Sequence, residues 1–312
     1  MKTDITTLWD LSREQMEELF ADAAELKARQ KRGIVDQPLL GRTAGLLFDK
    51  PSTRTRVSFE AAMCQLGGAS LFISAKDTQI NRNEPIADTA RVLSRYLDVL
   101  VIRTFSQDLL TEFADNADIP IVNALTDLYH PCQILSDLQT VIEEKGGVAN
   151  LSNLKIAWVG DGNNVAHSWI EAAAILGLTL VLACPEGYFP NDRIMGRAVK
   201  EGHGKLSVVT DPREAVAGAD VIYTDVWASM GQESESRARK KTFAGFTVDD
   251  DLVAKAKEDV IVMHCLPAHR GEEITHEVLE GPRSVVWDQA ENKLHMHKAV
   301  LNAVIRKWRQ QG

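Results

Sequence analysis

The densest group of residues that could bind an anion is the segment Asp-Lys-Pro-Ser-Thr-Arg-Thr-Arg at positions 49–56. An apolar run typical of a strand precedes it, and a helical pattern follows. Ser52 is a natural N-cap, and the backbone N–H groups of a helix start attract anions. Arg54 and Arg56 would be unfavourable in a first helical turn unless an anion neutralised them. The segment therefore predicts a phosphate-binding turn, in preference to a solvated basic helix start.

Two further groups are predicted at the same edge of the sheet. Arg103 ends a predicted strand, and His130 opens a long helix in which Pro131 occupies a permitted first-turn position, followed by Cys132 and Gln133. A single histidine at a helix start is most often structural. The phosphate-binding turn on a neighbouring strand favours a functional role for His130.

The second half of the chain begins with a strand followed by Gly160-Asp161-Gly162-Asn163-Asn164-Val165. This pattern resembles a dinucleotide-binding fingerprint, but Val165 stands where the third glycine would be, so the signal is weak. The asparagines could instead hydrogen-bond a polar substrate. Asp225 follows a later strand and precedes a small, turn-rich loop, an arrangement that suits an amino or ammonium group and equally fits a surface loop.

A histidine and a cysteine are adjacent at the end of another predicted strand, in the segment His264-Cys265-Leu266-Pro267. A zinc site or a cysteine nucleophile is conceivable here. Adjacent strand residues point to opposite faces, so His264 is badly placed to activate Cys265, and no second ligand pair has zinc spacing. We expect neither a metal nor a cofactor.

Short β-branched runs alternate with amphipathic helical segments in both halves, which is typical of parallel sheets covered by helices. We predict an α/β fold with two doubly wound parallel-sheet domains joined by interdomain helices. The first domain spans 1–135, with the C-terminal helix at 290–312 packing back on it, and the second spans 136–289. The predicted strands lie at 44–48, 69–74, 99–103, 119–123, 155–159, 179–183, 207–210, 221–224, 260–264 and 285–287.

Composition excludes several functional classes. The 312 residues are 45% hydrophobic, enough for two buried cores, and 35 basic against 44 acidic residues give a net charge of −9 without basic blocks. This balance argues against nucleic acid or an anionic membrane as partner. No apolar run reaches the length of a bilayer span, and no secretory signal is visible. With four cysteines far apart in sequence, we expect a cytoplasmic protein.

Taken together, these motifs resemble the aspartate/ornithine transcarbamylase family over nearly the whole chain and in the same order. The segments Ser-Thr-Arg-Thr-Arg and His-Pro-x-Gln are shared across the family. The stretch from Asp225 through Trp227 to Ser229-Met230-Gly231, together with His264-Cys265-Leu266-Pro267, resembles the ornithine branch.

The resemblance implies transfer of a carbamoyl group from carbamoyl phosphate to the side-chain amine of L-ornithine, giving citrulline for arginine biosynthesis. It implies catalytic roles for Arg103, His130, Asp225 and Cys265, and ornithine contacts at Asn164, Asp225, Ser229 and Met230. Carbamoyl phosphate would contact Ser52, Thr53, Arg54, Thr55, Gln79, Arg103, His130, Pro131, Cys132, Gln133, Cys265, Leu266 and Lys293.

Two of these positions carry a further implication. Gln79 matches a residue that reaches into a neighbouring subunit's site, which implies a homotrimer or an assembly of trimers. Lys293 stands where the family usually has arginine, so the charge is kept while the bidentate fork is lost.

Three alternatives stay open on the sequence alone. The acceptor could be acetylornithine, putrescine or aspartate, although the loop after Asp225 favours free ornithine. An NAD-dependent oxidoreductase using the Gly160 turn is disfavoured by the missing third glycine. A catalytically silent regulatory relative is disfavoured by the intact Arg54, Arg103, His130 and Cys265.

Overall fold

A computed structural model describes residues 3–35, 37–75, 78, 84–228 and 235–310. The chain divides into two compact units. One comprises Met1–Gln139 together with Glu291–Gly312, and the other comprises Thr140–Ala290. Both are α/β units, as the sequence predicts, and two helices, α5 (Pro131–Glu144) and α12 (Val286–Arg309), carry the chain from one unit to the other.

The first unit contains a four-stranded parallel sheet in the order β2-β1-β3-β4. Its strands are β1 (Thr43–Phe48), β2 (Ala69–Ser74), β3 (Val99–Arg103) and β4 (Ile121–Leu125). The helices α1 (Arg13–Lys31), α2 (Thr53–Gln65), α3 (Ile86–Leu93) and α4 (Gln107–Asn116) belong to the same unit. Strand β3 is buried along its whole length, as expected for a central strand covered on both faces.

The second unit contains a five-stranded parallel sheet in the order β7-β6-β5-β8-β9. Its strands are β5 (Lys155–Val159), β6 (Thr179–Ala183), β7 (Lys205–Val209), β8 (Val221–Thr224) and β9 (Ile261–His264). Its helices are α6 (Asn164–Leu176), α7 (Asp192–Glu201), α8 (Pro212–Val216), α9 (Ser236–Thr242), α10 (Asp250–Val253) and α11 (His276–Leu279).

Local sequence signals explain how several helices begin. Ser12 and Gln15 form a capping box at the start of α1, and the apolar face of this helix is buried. Ser52 caps α2, since its side chain accepts a hydrogen bond from the backbone N–H of Thr55. Pro131 opens α5 as predicted. These helix starts therefore follow from side chains close to them in sequence.

The strand predicted at 285–287 is wrong. At this point of the chain, only Ser284, just before the predicted segment, forms a parallel bridge, with Val262. Helix α12 already begins at Val286. Val286 is buried in the core of the second unit, so its apolar side chain packs there as part of a helix and not as part of a strand. In addition, β4 starts and ends two residues later, and β7 starts two residues earlier, than their predicted positions.

Within the described ranges, none of the helices combines the length and the apolar character that crossing a membrane requires.

Candidate active site

The first group of candidate functional residues lies where the strand order of the first sheet reverses. The chain passes from β1 outward to β2 and then returns to β3 on the other side of β1. Open α/β sheets bind ligands beyond the carboxyl ends of the strands at such a switch point. The Ser52 turn follows β1 and Arg103 ends β3, and the backbone N–H of Asp49 donates to the carbonyl of Arg103 at 2.8 Å. The topology therefore places both predicted anion-binding groups at one edge.

The start of α2 has the features of an anion site. Ser52 Oγ lies 3.3 Å from the Thr55 nitrogen, and the first turn of the helix contains no acidic residue. Thr55 is buried, whereas Arg54 is exposed, and no carboxylate in the described part of the chain pairs with the Arg54 side chain. A phosphate could therefore accept hydrogen bonds from the helix start and pair with Arg54.

Arg56 does not contribute to this site as the sequence suggests. Its Nε lies 2.9 Å from Glu60 Oε1, and its guanidinium carbon lies 3.6 Å from the centre of the Phe72 ring. Glu60 in the same helix and the Phe72 ring on the neighbouring edge strand thus balance the positive charge of Arg56. The expectation that a bound anion neutralises Arg56 as well as Arg54 is therefore wrong, and Arg54 alone supplies the guanidinium of the turn.

A buried polar chain links the start of α5 to α12 within the first unit. Lys293 Nζ donates to Gln133 Oε1 at 2.7 Å, and Gln133 Nε2 donates to Asp137 Oδ1 at 2.8 Å. Because its oxygen faces an ammonium group and its nitrogen faces a carboxylate, the Gln133 amide has one favoured orientation. Lysine at position 293 therefore keeps the positive charge and donates to Gln133, without the planar fork of an arginine.

His130 is held as a neutral imidazole. Burial lowers its pKa well below the usual value, and the positive charges of Lys293 and Arg103 lower it further. Burial likewise raises the pKa of the Cys132 thiol to about 12, so this cysteine stays protonated. A neutral His130 can donate a hydrogen bond to a developing oxyanion, whereas Cys132 is unsuited to act as a nucleophile.

The buried imidazoles should make the protein sensitive to acid. Burial lowers the pKa of His297 as well as that of His130, so unfolding lets both take up protons. Their contribution is fully present above about pH 6.5 and is lost as the pH falls towards the lower folded-state pKa. We expect the free energy of unfolding to decline below pH 6.5 by up to about 1.4 kcal/mol per pH unit for each histidine.

Urea unfolding between pH 7.5 and 5 measures this decline. A His297→Gln variant should show a shallower slope, while His203→Gln, at an exposed position, should keep the wild-type slope. Equal slopes for wild type and His297→Gln would contradict the assignment.

The second group of candidate functional residues lies at the switch point of the second sheet, between β5 and β8. Asn163 caps α6 after β5, and its Nδ2 donates to Asp225 Oδ2 at 2.8 Å. Asp225 Oδ1 accepts from the Val226 backbone at 2.8 Å and from the Cys265 thiol at 3.0 Å. A nearly buried carboxylate is thus fixed beside a thiol, which suits capture of an ammonium group.

The contacts that three residues make at this site were not predicted from the sequence. Asn163 contacts Asp225, and the signal available for Asn163 was the preference for asparagine at an N-cap. Arg239 Nη1 donates to Asp161 Oδ2 at 2.6 Å and to the carbonyl of Trp227 at 2.8 Å. Burial raises the pKa of Asp161, and Arg239 opposes that shift. This ion pair joins the turn after β5 to the segment after β8.

The side chains of Asp225, His264 and Cys265 bring potential metal-ligating atoms within 4.8 Å of one another. Sequence spacing did not reveal this group, because Asp225 comes from a different strand. Both ring nitrogens of His264 already have partners, the Leu266 N–H and Glu273, so this histidine does not offer a free ligand atom.

Three predicted site residues, Gln79, Ser229 and Met230, lie outside the described residues. Leu266 follows Cys265 and has a φ of 57°, which is unusual for a residue with a side chain.

Comparison with known proteins gives a consistent result. The family model for the carbamoyl-P binding domain of aspartate/ornithine carbamoyltransferase matches residues 3–143, and the model for its Asp/Orn binding domain matches residues 152–304. A protein from Desulfotalea psychrophila named ornithine carbamoyltransferase is 57% identical over 96% of this chain and 98% of its own length. One with the same name from Syntrophus aciditrophicus is 55% identical over 98% and 100%.

The solved structures agree with these relatives. The ornithine carbamoyltransferase from Pyrococcus furiosus superimposes with a TM-score of 0.91 at 48% identity, covering 96% of both chains. The enzyme of the same name from Thermus thermophilus gives a TM-score of 0.88 at 38% identity, covering 98% of this chain and 99% of that one.

Proposed function

The chain belongs to the aspartate/ornithine carbamoyltransferase family, and on that premise we propose that it transfers the carbamoyl group of carbamoyl phosphate to the δ-amine of L-ornithine. The observation that carries this proposal is the full-length likeness to proteins named ornithine carbamoyltransferase. The two switch-point sites support it, because one suits a phosphate and the other suits an ammonium group. The products are L-citrulline and phosphate, and we place the reaction in arginine biosynthesis.

The first unit is the proposed carbamoyl phosphate-binding domain and the second the proposed ornithine-binding domain, in line with the descriptions of the two family models. The helix start at Ser52 and the Arg54 side chain bind the phosphate. The amide of the carbamoyl group is received by the main chain of Cys265 and Leu266. The full proposed contact set is Ser52, Thr53, Arg54, Thr55, Gln79, Arg103, His130, Pro131, Cys132, Gln133, Cys265, Leu266 and Lys293.

In the proposed reaction the nitrogen of ornithine attacks the carbamoyl carbon, and a tetrahedral oxyanion forms. The C–N bond forms in this step. The C–O bond to phosphate then breaks, phosphate leaves with that electron pair, and the departing phosphate takes up the proton that the amine nitrogen loses. Arg103, neutral His130 and Thr55 stabilise the charge on the carbamoyl oxygen. Arg54 and the start of α2 stabilise the departing phosphate.

Asp225 and Cys265 position the amine of ornithine, and Asn164, Ser229 and Met230 complete the proposed contacts of that substrate. The amine must be neutral to attack, whereas a nearby carboxylate favours the ammonium form. Asp225 therefore captures and orients the amine and does not lower its pKa. Hydrogen bonds from Asn163 and from the Cys265 thiol hold the Asp225 carboxylate in the orientation that this role requires.

We also propose that the protein is cytoplasmic and forms a homotrimer or an assembly of trimers. Its location is supported by the four cysteines, all of which are free thiols in the structure. For the assembly, the edge strand β2 and helix α2 leave the apolar side chains of Leu71 and Val57 exposed, and burying them against another copy of the chain would be favourable. Sedimentation equilibrium should give three times the chain mass of 34.5 kDa, or a whole multiple of that trimer mass.

One assay tests the proposed reaction. Purified protein and carbamoyl phosphate are supplied in parallel with ornithine, acetylornithine, putrescine and aspartate, and both the carbamoylated product and phosphate are measured. The proposal predicts stoichiometric citrulline and phosphate with ornithine as the preferred acceptor. Preferred use of another acceptor, or no transfer to ornithine, would refute it.

A further inference from the structure

His264 is enclosed in the second unit with both ring nitrogens engaged. The backbone N–H of Leu266 donates to Nδ1 at 2.8 Å, and Nε2 lies 3.1 Å from Glu273 Oε1. The ring is almost fully buried. Because a backbone N–H can only donate, Nδ1 must accept, and the ring proton of the neutral imidazole is therefore on Nε2, where it donates to Glu273.

The residue that His264 holds has an unusual backbone conformation. Leu266 has a φ of 57°. In the part of the chain that the structure describes, no other residue except glycine has a left-handed backbone. A side chain disfavours this conformation, so it persists only where surrounding contacts fix it. The hydrogen bond from Leu266 to the His264 ring is such a contact.

The segment 264–269 is held by hydrogen bonds at both of its ends. The His264 backbone N–H donates to Gln289 Oε1 at 3.0 Å, and Gln289 in turn donates to the Tyr223 hydroxyl at 3.2 Å. Glu273 Oε1 also accepts from the backbone N–H of His269 at 2.6 Å. One buried carboxylate thus contacts both the histidine at the start of the segment and the backbone at its end.

We infer that His264 is a positioning residue for carbamoyl transfer: held by Glu273, its Nδ1 fixes the backbone of Cys265 and Leu266 in the conformation that binds the carbamoyl group. This inference rests on the proposed function, which places those two main-chain groups against the substrate. His264 itself contacts no reacting atom, since its ring nitrogens are already occupied.

Two substitutions separate the two ring nitrogens. Asparagine places its Oδ1 close to the position of Nδ1, so His264→Asn keeps an acceptor for Leu266 and loses the contact with Glu273. Glutamine places its amide close to the position of Nε2, so His264→Gln keeps a donor to Glu273 and loses the acceptor for Leu266. The pair is matched because both replace the ring with a neutral amide.

The experiment compares steady-state kinetics of the two variants with the wild type. We expect kcat/KM for carbamoyl phosphate to fall at least about 10-fold further in His264→Gln than in His264→Asn, consistent with one lost hydrogen bond at a strained residue. KM for ornithine should change by a smaller factor. Equal losses in the two variants, or a greater loss in His264→Asn, would overturn the inference.

A second measurement needs no variant at position 264 to fold. In protein labelled with ¹⁵N-histidine, the ring signals of His264 are those that shift in Glu273→Gln and persist in His269→Gln, because His269 Nδ1 also lies 3.8 Å from Glu273 Oε2. The inference requires an unprotonated Nδ1 and a protonated Nε2, and the opposite tautomer overturns it. A wild type that carbamoylates no ornithine refutes the proposed function instead, and the ring-nitrogen measurement still tests the inference.

Discussion

Replacing Arg103 with alanine should lower the turnover number at least about 100-fold, because loss of one oxyanion donor typically costs about 3 to 4 kcal/mol of transition-state stabilisation. Its side chain is buried at the end of β3, where its charge acts on His130. The backbone contact with Asp49 does not depend on the side chain, so the Ser52 turn should persist in the variant. Citrulline formation at saturating concentrations of both substrates measures the effect.

The matched control is Arg91→Ala, since Arg91 is exposed on α3 and pairs only weakly with Asp88 in the same helix. It should retain turnover within about 2-fold. Thermal unfolding of both variants distinguishes lost catalysis from lost folding. Nearly unchanged turnover in a folded Arg103→Ala variant would remove Arg103 from the proposed role.

The second large effect is expected for Asp225→Asn, in which kcat/KM for ornithine should fall about 100-fold. The variant loses the charge that captures the amine. In addition, each oxygen of Asp225 accepts from a donor, Asn163 on one side and Val226 with Cys265 on the other. The new amide nitrogen therefore faces a donor in either orientation, and the site is distorted as well as neutralised.

Initial rates with each substrate varied in turn test this prediction. KM for carbamoyl phosphate should change less than about 3-fold, because Asp225 is assigned to the acceptor alone. Asp251→Asn, an exposed carboxylate in α10, serves as control and should behave as wild type. An equal rise in KM for both substrates would show that Asp225 has a general structural role.

Local signals in the sequence predicted much of the first site. Ser52 and Pro131 begin their helices as predicted, because a cap or a proline acts on neighbouring backbone groups. The alternation of strands and helices predicted the fold class, because it too is visible in short stretches of the sequence. Arg56 was misjudged because its partners are Glu60 and the Phe72 ring, and that ring lies on a strand whose register the sequence does not reveal.

Most of the second site depends on contacts between distant segments. Asn163 and Asp225 are 62 positions apart, and Asp161 and Arg239 are 78 apart. Strand order brings these pairs together, and adjacent asparagines cannot be ranked until the helix start is known. The strand predicted at 285–287 failed because a short apolar run fits a buried helix start as well as a strand.

The central claim is that the turn beginning at Ser52 binds the phosphate end of carbamoyl phosphate through Arg54 and the start of α2. Calorimetric titration with freshly dissolved carbamoyl phosphate tests it most directly, using wild type, Arg54→Gln and Arg56→Gln. Binding to the wild type should weaken at least about 10-fold in Arg54→Gln, consistent with loss of a hydrogen bond to a charged group. Arg56→Gln, whose cation is engaged by Glu60 and Phe72, should bind as the wild type does. No binding by the wild type, or equal affinity in Arg54→Gln, would contradict the account.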